Sequence, residues 1–338
     1  MKHLIPGWVH NPGVHCASTV ISDVMTFHGH ALDEAMCFGL GCGLGFFYLQ
    51  ADLLNPTSMT AVRSRMLEPR FFENIGRPFK WAQEPDPDRS LAAVKQKLDA
   101  DLPVLIHADI AHLPHYNTTT HFPGHVIALW GYDDERAAAL VADTGWKELI
   151  EVPYPDLQRA RHDGLPYMKN SGDYYAVPAG GSIPDLRPII KKALIRQAED
   201  MEGLKIDMPG LFGFPAMRKA VEDLPRWGQA KDWQWCARWF YQVIERRGTG
   251  GGAFRLLYSR FLEQAGELEP GLRRAAPAEE MKEIAGDWTD LAKTLKQISE
   301  LEKPGHFDAA AVKLWRITEK EEGFFRRILG AIEPADPL

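Results

Sequence analysis

Cysteine is scarce in this chain: 338 residues carry four, Cys16, Cys37, Cys42 and Cys236, with no CxxC pair among them. Thiols so sparse and unpatterned exclude a disulfide framework or a thiolate zinc site, and they fit a reducing cytoplasm. Long apolar runs are also missing. No segment approaches the roughly 20 apolar residues that span a bilayer. The first seven residues lack the apolar core of a signal peptide, and Ser22 and Asp23 interrupt the next apolar stretch. Positive charge is lacking as well: the net charge is −7, with no long Lys/Arg run, which excludes a nucleic-acid binder. The expectation is a soluble, cytoplasmic protein. There is no internal repeat and no low-complexity tract. What is present is an ordinary globular balance, 45% hydrophobic against 25% charged residues, in a chain long enough for two domains.

The expected division is a mixed domain over residues 1–178 and a helical domain over 185–338, separated by the Gly/Ser/Pro-rich stretch 170–184. In the first part, Ala17, Val20, Ile21, Val24 and Phe27 recur at helical spacing, with Gly29 as a stop. Asp33 is a good N-cap for a second short helix reaching about Phe38. Residues 91–98 read as an amphipathic helix and 103–108 as a buried strand. Two further strands, 126–130 and 138–142, flank the charged turn 133–136 as a hairpin. A leading helix followed by a late antiparallel sheet is an α+β arrangement. The remainder is all-α in period, with helices over 186–201, 216–224, 233–246, 254–264, 279–300 and 309–332. Its aromatic cluster, from Trp227 to Tyr241, reads as bundle core or as a surface that docks on the first domain.

The chemistry centres on Cys16, which stands at the first turn of the first helix. The unpaired N–H groups and positive dipole end there favour a thiolate. A lone buried cysteine is as a rule inert packing, so a base must be found for it. The hairpin supplies one. A turn centred on Asp134 sets His125 opposite Asp143, with Cβ atoms roughly 5 Å apart on one face. A one-residue slip would break that pairing. His125 would take the thiol proton and later protonate a leaving group, while Asp143 holds the imidazole tautomer.

Other motifs are weaker. His107, His112, His115, His121 and His125 crowd together, but Pro123-Gly124 prevents the helix that would align His121 with His125, and no HExxH occurs; no metal is expected. Asp109 and the other histidines read as lining a cleft or loop. The run 38–46, with Gly39, Gly41, Gly43 and Gly45, follows a helix rather than a strand and is not a dinucleotide fingerprint. Gly41 and Gly43 instead let backbone approach a substrate or the cysteine helix closely. Cys37 and Cys42 lack a base. Glu34 is either a partner in the cleft or a first-turn acid complementing its own helix. The loop 247–255 offers bare N–H groups, with Arg247 and Arg255 beside them, to a phosphate such as that of a phosphopantetheine arm. It lacks the Lys-Ser/Thr ending of a P-loop, and the alternative is a plain turn with Arg255 paired to an acid.

The blocks His15-Cys16-Ala17-Ser18-Thr19, Glu34 to Phe46, Phe122-Pro123-Gly124-His125, Gly131-Tyr132-Asp133-Asp134 and Ala142-Asp143-Thr144 resemble the butirosin biosynthesis protein H N-terminal family. Gly248 to Tyr258 resembles the helical domain that commonly accompanies it. The resemblance implies a papain-like, C39-peptidase-like fold with Cys16 as nucleophile, His125 as base and Asp143 as orienting acid. It also implies acyl transfer from a carrier-protein thioester, or another acyl thioester, to a small-molecule amine, with no bound cofactor. The glutamine that papain-like enzymes place before the cysteine is missing. Near the matching position stand His10, Asn11 and His15 as oxyanion-hole candidates alongside the Cys16 N–H. The competing readings are a cysteine peptidase or amidase on the same triad, and a binding protein on a degenerate peptidase fold. The large apolar helical domain suits a homodimer.

Overall fold

The computed structural model describes residues 1–165, 168–178 and 181–332. Ala179 and Gly180 of the expected interdomain stretch, and residues 333–338 of the expected helical domain, lie outside the described residues. The chain forms two compact units that do not follow its order. One comprises Met1–Cys37 and Gly76–Ile183; the other joins Phe38–Ile75 to the residues from Pro184 onward. The sequential cut, 1–178 against 185–338, is therefore corrected: residues 38–75 fold with the C-terminal segment.

The first unit is built on a six-stranded antiparallel sheet. Its order is Tyr174–Ala176, Val104–Ala108, His125–Asp133, Ala138–Ala142 and Ile150–Pro153, with Lys2–Leu4 paired to the His125–Asp133 strand. All nine residues of His125–Asp133 are buried, which is why this strand reads as a continuous apolar run rather than an alternating one. Ile106, Ile127, Leu129 and Val141 form the centre of its core, with Val94 and Leu98 of the Pro87–Leu98 helix and Leu157 of the Tyr154–His162 helix. The Pro87–Leu98 helix starts where Asp86 accepts the Arg89 N–H at 2.9 Å and Pro87 fills the first position.

The hairpin differs from the expected one. The turn pairs Asp133 with Ala138, and a bulge between Leu129 and Gly131 then shifts the register so that Ala128 faces Ala142. Without that extra residue Asp143, just beyond the strand, would come level with Ala128 and on the face opposite to His125. With it, Asp143 comes level with Ile127, a diagonal neighbour of His125 on the same face.

In the second unit the helices from Pro184 onward are Leu186–Gly203, Gly213–Asp223, Trp233–Glu245, Arg255–Leu268, Pro270–Ala275, Pro277–Ser299 and Asp308–Ile332, and the 38–75 segment adds Leu67–Asn74. Their core contains Trp227, Phe240 and Trp288 with Phe46, so the two most buried members of the aromatic cluster are bundle core. The unexpected element is a hairpin, Leu44–Gln50 with Ser58–Arg63, extended by Leu211–Phe212. Both long strands alternate buried and half-buried residues. The glycines before it serve close packing: a Cβ on Gly39 would lie 2.0 Å from the Phe261 ring, one on Gly43 2.4 Å from Phe38, and one on Gly45 2.7 Å from the Arg63 backbone. Among the described residues no helix is long and apolar enough to cross a membrane.

Candidate active site

The Cys16–Phe27 helix begins at Cys16 because His15 caps it, its Nδ1 accepting the Ser18 N–H at 3.2 Å. The segment leading into it is held by two carboxylates. Glu34 Oε1 accepts the Val14 N–H at 2.8 Å, the His15 N–H at 2.7 Å and the Thr19 hydroxyl at 3.1 Å. Asp23, fully buried within the helix itself, accepts the Asn11 N–H at 2.9 Å and pairs with His10 Nδ1 at 2.5 Å. Gly13 passes through the gap between these groups. A Cβ there would fall 2.2 Å from Thr19 Oγ1, so only glycine fits. Glu34 thus orients the nucleophile's loop, with the chain's own donors gathered on its Oε1.

Cys16, His125 and Asp143 come together in the first unit, each less than a tenth exposed. His125 Nε2 meets Asp143 Oδ1 at 2.8 Å, and the Cys16 side chain hydrogen-bonds the same imidazole. Since Asp143 takes Nε2, the remaining ring nitrogen, Nδ1, is the one left for the thiol. Burial opposes charge on His125, yet Asp143 and Cys16 outweigh it and push its pKa up to about 10. Burial likewise opposes charge on Asp143, and His125 and His115 hold its pKa below the usual carboxylate range. The imidazole is therefore favoured in its protonated form, beside an ionised Asp143.

Two residues of this site escaped sequence reasoning. His115 Nε2 meets Asp143 Oδ2 at 2.8 Å. The Tyr116 hydroxyl donates to Asp143 Oδ1 at 3.2 Å and lies 3.2 Å from His125 Nε2. Burial, with Asp143 and Cys16 nearby, raises the Tyr116 pKa and keeps it a neutral donor. With the Thr144 hydroxyl at 2.9 Å, Asp143 collects four side-chain partners. Both missed residues sit in a short 3-10 turn, Pro114–Tyr116, which carries no periodic signal. The dense histidines were the one available hint.

Of the oxyanion candidates, His15 is engaged through Nδ1 as the helix cap and His10 through Nδ1 with Asp23, while Asn11 is exposed and contributes its N–H to Asp23. His10 has a raised pKa: burial lowers it, and Asp23 more than offsets that. The other three thiols are unsuited to nucleophilic work. Burial pushes Cys42 up to about 12, and raises Cys37 and Cys236 as well.

Gly41, Gly43 and Arg255, expected as substrate contacts, belong to the second unit. Of the two readings of Arg255, the pairing with an acid holds and the phosphate contact is corrected. Its guanidinium is fully buried and makes two bonds to Glu321, at 2.8 and 2.9 Å, plus others to the Val62 and Ala253 carbonyls. The glycine loop is equally occupied: Gly252 N–H donates to Glu245 Oε1 at 3.1 Å and Gly251 N–H to Thr249 at 3.1 Å. A carboxylate stands where a phosphate was expected, and Arg247 lies over the Trp239 ring with its donors on Gln242.

Residues 15–144 match a family described as butirosin biosynthesis protein H, N-terminal. Residues 155–328, just over half the chain, match a domain of unknown function (DUF4872). No curated protein matches.

Proposed function

We propose that this chain, which belongs to the butirosin biosynthesis protein H N-terminal family over residues 15–144 and to the DUF4872 family over residues 155–328, is a biosynthetic enzyme. It transfers an acyl group from a thioester to an amine through Cys16. The observation that carries this reading is one buried line of groups: Cys16 on His125, and His125 on Asp143 at 2.8 Å. The sheet with a cysteine helix packed on its central strand is consistent with the papain-like layout.

In the first half-reaction the Cys16 thiolate attacks the thioester carbonyl. The oxyanion forms at the helix N-terminus, where the Cys16 N–H and a donor from the His10–Asn11 segment would hold it. Collapse expels the donor's thiolate, which takes the proton from the His125 imidazolium. In the second half-reaction an amine attacks the acyl-cysteine, His125 accepts its proton, and Cys16 leaves as thiolate with an amide as product. Asp143 keeps Nε2 engaged throughout, so Nδ1 always faces sulfur and substrate. The donor is an acyl thioester such as one on a carrier protein; the acceptor is a small amine.

The test is intact-mass analysis after incubation with an acyl thioester, with and without amines. A mass gain of one acyl group that Cys16→Ala abolishes, discharged to amide when an amine is supplied, supports the reading. Free acid as the sole product with every amine tried moves the protein to the hydrolases. No adduct at any donor concentration, with Cys16 no more reactive to iodoacetamide than Cys236, overturns enzymatic use of the thiol.

A further inference from the structure

A second cluster in the first unit takes no part in the Cys16 chemistry. Asp109 is fully buried, and its Oδ1 is fixed by the Phe122 N–H at 2.8 Å and the Ala111 N–H at 3.2 Å. That leaves Oδ2 aimed at His121, whose Nδ1 lies 2.7 Å away. His112, on the short turn Ile110–His112, stands beside them with its ring edge-on to that of His121 at 5.8 Å. One donor atom from each of Asp109, His112 and His121 lies within 4.8 Å of the other two. His112 Nε2 is in turn held by Asp163 at 3.0 Å.

We infer that Asp109, His112 and His121 form a binding site for a divalent transition ion, zinc by preference, with Asp163 orienting His112. Two imidazoles and a carboxylate suit a borderline ion rather than calcium or magnesium, which prefer all-oxygen sites. A carboxylate on the far nitrogen of a ligating histidine is the usual outer support of such sites. Zinc sets its donors about 3.3 Å apart, so the Asp109–His121 pair would open from 2.7 Å and His112 would draw in, adjustments left to the half-buried His112 and exposed His121 rings. Spacing along the chain tests His121 only against His125, which Pro123-Gly124 keeps from aligning with it; its partners Asp109 and His112 lie upstream, just past the Val104–Ala108 strand.

The position gives the ion a consequence. Between His112 and His121 the chain carries His115 and Tyr116, both bonded to Asp143. Closing that loop on an ion fixes the strap that holds Asp143, and stabilises the folded chain by mass action.

The experiment titrates the full-length, metal-stripped protein with Zn2+ by calorimetry and by thermal shift, with no acyl substrate present. A Cys16→Ser background removes the thiolate as a competing ligand. The expected result is one equivalent bound, a raised Tm, and at least about tenfold weaker binding in His112→Ala and in His121→Ala. Asp163→Asn is expected to weaken it less. Co2+ substitution should give a spectrum without thiolate charge transfer. No stoichiometric binding in the Cys16→Ser protein, or binding unchanged by both histidine substitutions, overturns the inference. Either result leaves the Cys16 reading standing, since no acyl chemistry is measured.

Discussion

Each unit buries a charged pair, and the two pairs are finished differently. Arg255 and Glu321 are both fully buried, and among the described residues their partners come from their own unit: Glu321 also accepts the Trp288 N–H at 2.7 Å, and the Arg255 guanidinium lies 4.8 Å from the Trp288 ring centre. His125 and Asp143 are as deeply placed, but one nitrogen of the imidazole is turned to a thiol, a group whose chemistry is not spent in holding the fold together. A closed pair of this kind organises a core. An open one keeps its charge available for a reaction, at the cost of burying groups that packing alone does not need.

The sharpest way to separate the two is to delete one member of each. Cys16→Ala is expected to lower thioester turnover by at least about 10⁴-fold while leaving unfolding free energy within about 1 kcal/mol, read by steady-state assay and urea titration. Arg255→Ala should do the reverse. It strands Glu321 and costs about 3–5 kcal/mol of stability, whereas exchanging both partners for apolar residues should recover most of that loss. If the double exchange is as damaging as the single one, the second pair is not merely architectural.

A smaller effect tests the open pair's charge state. The raised pKa of His125 keeps the imidazolium through neutral pH, and it is lost only as pH rises through about 10. Alkylation of Cys16 by iodoacetamide should therefore stay nearly flat from pH 6 to 9, the range over which an ordinary thiol climbs about a hundredfold or more. In His125→Ala it should climb like that ordinary thiol; a steep climb in the unaltered protein would mean that thiolate and imidazolium are not paired. The stability contribution has the same sign: it is full below the unfolded histidine pKa and fades as pH approaches the folded one. Asp143→Asn should return the alkylation profile partway toward that of His125→Ala. Smallest of all, Tyr116→Phe removes one of four partners of Asp143 and should cost about 1 kcal/mol, roughly fivefold in turnover, with little change in KM.

Much of this was legible in the residues. The six long helices of the second unit follow from period 3.6 and lie within a few residues of their expected ends, because each buries an apolar stripe. The Cys16 helix, the strand 103–108 and the meeting of His125 with Asp143 were legible too. That last contact was expected for a partly wrong reason: the register was drawn about Asp134 without a bulge, and the bulge near Trp130 restored the face that the real turn would have lost. The hairpin of residues 44–63 was hidden because the glycines before and within it, Gly39 against Phe261 and Gly45 against the Arg63 backbone, answer to tertiary contacts, and its strands alternate only between buried and half-buried residues. Which groups His115, Tyr116, Glu34 and Arg255 would meet was not legible for a similar reason. Which of many acids and bases meet is decided by chain crossings far apart in sequence.

The interleaving of the two units bears on how such a chain can be inherited. It passes from one unit to the other between Cys37 and Phe38, between Ile75 and Gly76, and between Ile183 and Pro184, whereas the two matched families abut near residue 150. A genetic exchange at that seam would strip the C-terminal segment of its 38–75 strands. The two halves are therefore expected to descend as one gene and to vary in concert, and a fragment ending at the seam should reach the cell as an aggregate rather than as half an enzyme.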